Sequence, residues 1–220
     1  SSVQALLAEA RAAMPASRAQ TAVFYSISNC HKGLAGVSFG SFLIKQVAED
    51  LKESLPTLKT FVTLSPVPAF ARWLDSLPKS AVARLEAGEK QATSIVAEAG
   101  WARDAEAAER AEAGLLSLAA RYFLTAKRDD GQPVDPVSRF HLGNGAQLHR
   151  ITHLGDASPG GLRQAHGLMV NYLYDLPRVE ERHEAYADAR TIAASRQVLN
   201  LLPSRAAQTS VTDASAETAA

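Results

Sequence analysis

The first third of the chain shows two different spacings of its apolar residues. The segment Thr21-Ala-Val-Phe-Tyr-Ser-Ile-Ser28 is short and rich in β-branched and aromatic residues, which predicts a buried strand. From Ser41 to Leu55 the spacing becomes helical. The apolar face of this predicted helix carries Leu43, Ile44, Val47, Leu51 and Leu55. Lys59 to Leu64 predicts a second strand, which Pro66 and Pro68 prevent from continuing as a central strand. The order predicts a right-handed βαβ unit with parallel neighbouring strands.

Three glycines, Gly33, Gly36 and Gly40, lie between the first strand and the helix. Glycine allows a ligand to approach the backbone closely, and a helix N-terminus offers free N–H groups and a partial positive charge. Such a loop can hold a pyrophosphate, although the same glycines also suit a plain strand-to-helix turn. Their spacing differs from Gly-x-Gly-x-x-Gly, and no Gly-Lys-Ser/Thr follows, which argues against dinucleotide and P-loop sites.

The remaining elements alternate between helical and extended segments. Residues 69–126 predict a helical block that glycines break into three or four helices. This block would be an insertion that covers the site or contacts a partner subunit. The glycines expected to break it are Gly88, Gly100 and Gly114. Extended structure is expected from Asp135 through Phe140-His141-Leu142, where Gly143-Asn-Gly145 interrupts it.

Two further strands are expected, over Ala146 to Leu154 and over Gly167 to Tyr174, with a loop from Gly155 to Gly161 between them. A helix from Glu180 to Leu201, broken near Ala189, should follow. Ser1 to Ala13 predicts a short helix ahead of the first strand. The expected organisation is one domain over residues 1–205, followed by a disordered tail over residues 206–220.

Charge and cysteine content narrow the function classes. The 220 residues hold 23 basic and 23 acidic side chains, and this zero net charge argues against a nucleic-acid-binding protein. Lys32, Lys45 and Lys52 are candidates for a local basic patch. Cys30 is the only cysteine, which excludes an internal disulfide and suits a reducing compartment. No apolar run reaches 18 residues, so we expect a cytoplasmic protein without a membrane partner.

Six histidines make a metal site worth testing. His149 and His153 are four residues apart, but in an extended segment that spacing corresponds to about 13 Å. No cysteine or carboxylate cluster joins them, so no metal is expected. His141 by itself suits a packed, hydrogen-bonded histidine, although it directly precedes Gly143-Asn-Gly145, where backbone can approach a ligand.

The sequences of several segments resemble those of the malonyl-CoA decarboxylase family. The similar blocks, all in one order, are Phe24-Tyr-Ser-Ile-Ser28, Gly33-Leu-Ala-Gly-Val37, Gly40-Ser-Phe-Leu-Ile-Lys45, Leu64-Ser-Pro-Val-Pro68, Phe140-His-Leu-Gly-Asn-Gly-Ala146 and Gly167-Leu-Met-Val-Asn-Tyr172. The resemblance implies an α/β fold of the GNAT acyltransferase type: a mixed sheet with splayed central strands, flanking helices and a helical insertion. It also implies that the chain is a C-terminal piece lacking an N-terminal helical domain and the first strands.

The resemblance implies a reaction and its residues. Malonyl-CoA would be converted to acetyl-CoA and carbon dioxide without a cofactor, in a homo-oligomer. Ser65 and His141 would be the catalytic pair, and the pKa of a free histidine, about 6.5, suits a proton donor near neutral pH. The residues implied in binding the CoA substrate are Ala35, Gly36, Val37, Ser38, Phe39, Gly40, Ser41, Ser65 and His141.

Three alternatives compete with a decarboxylase. A serine hydrolase fits poorly, because Ser65 lacks a Gly-x-Ser-x-Gly elbow and Pro66 has no N–H for an oxyanion hole. A GNAT acyltransferase would share the phosphate loop but require an amine acceptor and a base. A non-catalytic CoA-binding or assembly module is the third, because a chain without the first strands would leave an open sheet edge.

Replacing Gly36 by valine tests the phosphate-loop prediction. Gly36→Val should weaken CoA binding because the added side chain crowds the backbone approach, with little loss of fold. Calorimetric titration with CoA measures the affinity, and circular dichroism checks the fold. An affinity equal to that of the parent protein would show that the loop assignment is wrong.

Overall fold

The computed structural model describes residues 15–25 and 39–203, with side chains in the first helix described from Leu43 onward. The strands are β1 (Thr21–Tyr25), β2 (Thr60–Pro66), β3 (Gln147–Thr152) and β4 (Met169–Leu173). The helices are α1 (Phe39–Ser54), α2 (Phe70–Asp75), α3 (Lys79–Ala83), α4 (Ala87–Val96), α5 (Ala105–Leu124), α6 (Pro136–Gly143), α7 (Pro159–Ala165), α8 (Val179–Ala189) and α9 (Arg196–Leu199). Single 3-10 turns occupy Ala16–Arg18, Trp101–Arg103 and Leu176–Arg178.

The four strands form one mixed sheet in the order β1-β2-β4-β3. β1 runs parallel to β2, in the register that pairs Thr21 with Thr60 and Tyr25 with Leu64. This confirms the predicted βαβ unit. β4 is antiparallel to both of its neighbours, and Ser65 on β2 lies opposite Val170 on β4. The mixed α/β class is therefore confirmed, whereas splaying of β1 and β2 beyond Tyr25 falls on residues outside the described ranges.

The prediction that the first strand is buried is wrong. Within the described part of the sheet β1 has β2 as its only neighbour, and half of Val23 and two thirds of Tyr25 are exposed (50% and 66%). β-branched and aromatic residues favour any pleated surface, and they do not distinguish an edge strand from a central one.

Helices cover the face of the sheet on which Phe61, Thr63 and Ser65 are buried. Side chains alternate along a strand, so these three point the same way. The helical block is part of this cover: Leu115, Leu118, Ala119, Tyr122 and Phe123 of α5 belong to the same buried cluster as Phe61 and Tyr172. The block between β2 and α6 is thus central to the hydrophobic core.

Two of the three glycines predicted to break the helical block lie inside helices. Gly88 is in α4 and Gly114 is in α5, whereas Gly100 has φ 84° and does separate helices as predicted. The helices α4 and α5 approach so closely that a Cβ on Gly114 would lie 2.2 Å from the carbonyl oxygen of Gly88. Gly114 therefore serves helix packing, whereas Gly88 contributes only its backbone to this contact.

The expected extended structure from Asp135 to Leu142 is also wrong, because Pro136–Gly143 is helix α6. The Asp135 carboxylate accepts a hydrogen bond from the Ser138 N–H (2.7 Å), and Pro136 occupies the first turn. Asp as N-cap and Pro at the first helical position are both favoured helix starts. The helix ends before Gly145, whose φ is 72°.

The later elements agree with prediction more closely. β3 and β4 lie within the predicted strand ranges, and α8 ends at Ala189, where Arg190 adopts φ 55°. The predicted loop from Gly155 to Gly161 ends early, because Ser158 caps α7. The predicted first helix over residues 1–13 and the predicted tail over residues 206–220 lie outside the described residues.

Among residues 15–25 and 39–203, no helix is long and apolar enough to cross a membrane.

The close crossing of α4 and α5 predicts a stability effect with a matched control. Gly114→Ala should lower the unfolding free energy by about 2 kcal/mol, because overpacking against a backbone carbonyl outweighs the better helix propensity of alanine. Gly88→Ala adds the same methyl group where no atom lies within 4 Å, and should be neutral or stabilising by up to about 1 kcal/mol. Urea unfolding measures both; equal stability of the two variants would contradict the packing argument.

Candidate active site

Ser65 is held near the C-terminal end of β2 and is almost fully buried (4% exposed). It lies two residues after Thr63, so both hydroxyls project from the same face of the sheet. The two side-chain oxygens are 2.9 Å apart, and the backbone N–H of Tyr172 on β4 donates to the Thr63 hydroxyl (3.1 Å). The pairing of β2 with β4 therefore fixes the position of Ser65.

His141 lies in the last turn of α6, and only 2% of it is exposed. Its ring stacks on the ring of Tyr172, with centroids 4.4 Å apart and planes inclined by 25°. The ring of Phe140 meets it edge-on at 5.1 Å. These contacts fix the plane of the imidazole and leave both of its nitrogens able to form hydrogen bonds.

Both imidazole nitrogens have a hydroxyl partner. His141 Nε2 is 3.2 Å from Ser65 Oγ, and His141 Nδ1 is 2.9 Å from the hydroxyl of Tyr174. A neutral imidazole donates from one nitrogen and accepts at the other. If Tyr174 donates to Nδ1, then the Nε2–H points at Ser65; in the opposite tautomer, Ser65 donates to Nε2. Burial raises the pKa of Tyr174, so its hydroxyl keeps its proton at neutral pH.

The predicted protonation of His141 needs correction. Burial lowers the pKa of His141 to about 4, well below the value of about 6.5 on which the proton-donor expectation rested. Burial disfavours the charged imidazolium because it removes water from the ring. The ring is therefore neutral at pH 7 in the ligand-free protein.

The structure brings together the two predicted catalytic residues, Ser65 and His141, which are 76 positions apart. The predicted loop residues at 35–38 lie outside the described residues. Phe39, Gly40 and Ser41 form the first turn of α1, and their side chains are not described. Lys45 hydrogen-bonds to Glu180 on α8, so its charge already has a carboxylate partner.

Three site residues were missed at the sequence level: Thr63, Tyr172 and Tyr174. The period-two spacing that places Thr63 beside Ser65, and Tyr172 beside Tyr174, was the available signal. The predicted absence of a metal remains an expectation. Within the part of the chain that the structure describes, no group of three His, Cys, Asp or Glu side chains could hold a metal ion.

These features define a mixed α/β domain with a buried serine–histidine–tyrosine site at the end of a central strand. The model of the malonyl-CoA decarboxylase C-terminal domain family matches residues 1–212. The chain belongs to this family.

Individual relatives agree with this assignment. Curated relatives named "Malonyl-CoA decarboxylase, mitochondrial" are 35% identical in Anser anser anser, over 85% of this chain and 41% of that protein, and 34% identical in Rattus norvegicus, over 84% and 41%. A malonyl-CoA decarboxylase crystal structure from Rhodopseudomonas palustris is 52% identical, with a TM-score of 0.85 over 92% of this chain and 46% of that one. One from Agrobacterium vitis is 51% identical, with a TM-score of 0.85 over 92% and 50%. The chain thus spans half or less of the length of these relatives.

The buried imidazole predicts how stability depends on pH. Because the pKa of His141 is about 4 when folded and about 6.5 when unfolded, the unfolded chain binds more protons between these values. The unfolding free energy should therefore fall as the pH is lowered from about 6.5 to about 4. His141→Asn should make this decrease shallower, whereas contributions from the other histidines stay the same in both proteins. Urea unfolding at a series of pH values gives the two slopes, and identical slopes would refute the assignment.

Proposed function

We propose that this chain supplies the CoA-binding catalytic part of a malonyl-CoA decarboxylase, a carboxy-lyase that converts malonyl-CoA to acetyl-CoA and carbon dioxide. One observation carries the proposal: Ser65, His141 and Tyr174 form a buried hydrogen-bonded line in a chain of this family. No cofactor is required, because the thioester carbonyl of the substrate accommodates the electron pair that the departing carbon dioxide leaves behind.

The reaction asks three things of the protein. It must hold the malonyl carboxylate perpendicular to the thioester plane, support the oxygen of the resulting enolate, and deliver one proton to carbon. The carbon–carbon bond to the carboxylate breaks, its electron pair forms the enolate, and a new carbon–hydrogen bond consumes the proton. A site that excludes water strengthens each hydrogen bond made to the enolate, and Ser65 and His141 are both nearly inaccessible to water.

Ser65 and His141 divide these tasks. The Ser65 hydroxyl donates to the carboxylate or to the thioester oxygen and sets the orientation of the substrate. A bound malonyl carboxylate brings a negative charge close to the imidazole and raises the pKa of His141 above its low value in the free protein. The Nδ1–H then donates to Tyr174, and the Nε2–H, on the side of Ser65, supplies the proton to carbon.

The proposal also includes the predicted fold type, CoA-binding residues, oligomeric state and location. The parallel pair β1 and β2, with α1 between them, supports a GNAT-like arrangement in which residues 35–41 hold the CoA pyrophosphate. A homo-oligomer and a cytoplasmic location complete the proposal. The single cysteine supports the reducing compartment, whereas the curated relatives are named as mitochondrial proteins. Gel filtration with light scattering tests the oligomeric state.

The test is carbon dioxide release from malonyl-CoA, measured with the chain alone and with the chain joined to the N-terminal part that its longer relatives carry. His141→Asn keeps the shape of the side chain but removes the proton donor, so kcat should fall by roughly 10²–10⁴ while CoA affinity changes little. Ser65→Ala should also lower kcat and retain CoA binding. Unchanged turnover in His141→Asn would overturn the assignment.

The two surviving alternatives predict other outcomes. An acyltransferase would consume acetyl-CoA in the presence of an amine and release no carbon dioxide from malonyl-CoA. A non-catalytic module would bind CoA in a calorimeter without turnover, even when the chain is joined to the N-terminal part of its longer relatives.

A further inference from the structure

We propose that Tyr122 and Asp135 are positioning residues, which act through helix α6 to hold His141 at hydrogen-bonding distance from Ser65. The purpose of that positioning rests on the proposed function, whereas the positioning itself is a property of the fold. Neither side chain hydrogen-bonds to the imidazole or stacks on it, neither belongs to the predicted site, and both are fully buried.

Asp135 joins two elements through its two carboxylate oxygens. Oδ1 accepts from the Ser138 N–H in the first turn of α6 (2.7 Å), and Oδ2 accepts from the hydroxyl of Tyr122 on α5 (2.9 Å). A cap alone needs only the first of these bonds. The second bond ties the start of the helix that carries His141 to the helical block.

The hydroxyl of Tyr122 is a well-fixed anchor. Its ring lies among Phe70, Trp73 and Phe123, with centroid distances of 5.5, 5.1 and 5.2 Å. Aromatic rings packed in this way have little freedom to rotate or shift. Burying a carboxylate among such rings is costly, and burial raises the pKa of Asp135. A fold that needed only a helix start at this point could use serine, so the buried pair has a different role from capping alone.

The far end of α6 is held separately. His183 Nδ1 donates to the Gly143 carbonyl (2.5 Å), and the Gly145 backbone lies so close to Val179 that a Cβ would be 2.0 Å from the Val179 carbonyl oxygen. An eight-residue helix is only about 12 Å long, so fixing both ends determines where His141 lies along it.

The hydrogen bond between His141 and Ser65 tolerates little displacement of His141. His141 Nε2 and Ser65 Oγ are 3.2 Å apart, at the upper end of the usual range for a hydrogen bond. A shift of a few tenths of an ångström away from Ser65 weakens the bond and misplaces the proton that His141 delivers. Catalytic rates respond strongly to small displacements of this kind.

Tyr122→Phe tests the role, and α5 offers a matched control. Ser117 also lies on α5 and also donates to a buried carboxylate, Glu89 Oε1 at 2.7 Å, but that carboxylate belongs to α4 and its hydrogen-bond partners are Glu86, Ser117 and Arg121, none of them on α6. Both Tyr122→Phe and Ser117→Ala remove one hydroxyl. Tyr122→Phe should lower stability by about 1–3 kcal/mol, and Ser117→Ala by less, because Arg121 still binds Glu89 Oε1. Only Tyr122→Phe is expected to lower kcat, by about tenfold, with KM for malonyl-CoA within twofold of the parent value. The same loss of kcat in both variants would overturn the proposal, and so would an unchanged kcat in Tyr122→Phe.

A second variant separates the cap from the anchor. Asp135→Ser keeps a hydroxyl that can cap α6 but cannot also bond to Tyr122, so it should retain the fold and lose kcat to about the same extent as Tyr122→Phe. Combining the two changes should add little further loss, because both break one interaction. Full activity in Asp135→Ser would show that the cap is sufficient and would overturn the proposal.

A measurement that needs no turnover keeps the two proposals distinguishable. Nitrogen-15 NMR of the histidine rings reports the hydrogen bonds at Nδ1 and Nε2. The signals of His141 are assigned by their absence from the spectrum of His141→Asn. Tyr122→Phe should shift the Nε2 resonance of His141, and Ser117→Ala should not. If the parent protein releases no carbon dioxide but this shift is seen, then the proposed function fails and the positioning role stands; an unmoved resonance overturns the positioning role.

Discussion

The buried hydrogen bond between Ser65 and His141 constrains every element that surrounds the candidate site. It joins a strand residue to a helix residue 76 positions later in the sequence, and both side chains are buried. Buried polar groups must find partners, and this requirement constrains every element around them. β4 lies between β2 and β3 and supplies the Tyr172 N–H, Tyr174 directly after β4 supplies its hydroxyl, and α6 supplies the imidazole. The order of the strands and the position of α6 therefore both serve to give Ser65 and His141 their hydrogen-bond partners.

Burial also sets the chemistry of the free site. The imidazole of His141 is neutral because its pKa is lowered to about 4, and Tyr174 is neutral because burial raises its pKa. A line of neutral donors and acceptors carries no charge that a substrate must displace. Under the proposed function, the first charge to enter such a site is that of the malonyl carboxylate, and at low effective dielectric this charge acts strongly on the ring beside it. In the proposed reaction, proton donation by His141 is therefore linked to substrate binding.

The parts predicted from sequence are those with strong local signals. The βαβ unit follows from periodicity, and Ser65 and His141 follow from motifs that resemble the family. Helix α6 was predicted as extended structure, because Phe140-His141-Leu142 before Gly143 suits a strand, whereas Asp135 and Pro136 already mark a helix start. The prediction that Gly114 breaks a helix failed because the close helix crossing that requires this glycine leaves no local signal in the sequence. The bond from Tyr122 to Asp135 depends on how two helices meet, which no spacing encodes.

The helical block shows why the insertion matters to the site. It was expected to cover the catalytic strands, and such a cover could be apolar throughout. Instead the block bonds to two buried carboxylates. Glu89 belongs to the block and is held there by Ser117 and Arg121, whereas Asp135 lies outside it and accepts a hydrogen bond from Tyr122. The first arrangement stabilises the packing of α4 on α5 and leaves α6 unaffected. The second fixes α6 relative to the block, because a hydrogen bond specifies distance and direction where apolar packing specifies mainly volume. A polar contact between the block and α6 is therefore what converts a covering element into one that sets the geometry of His141.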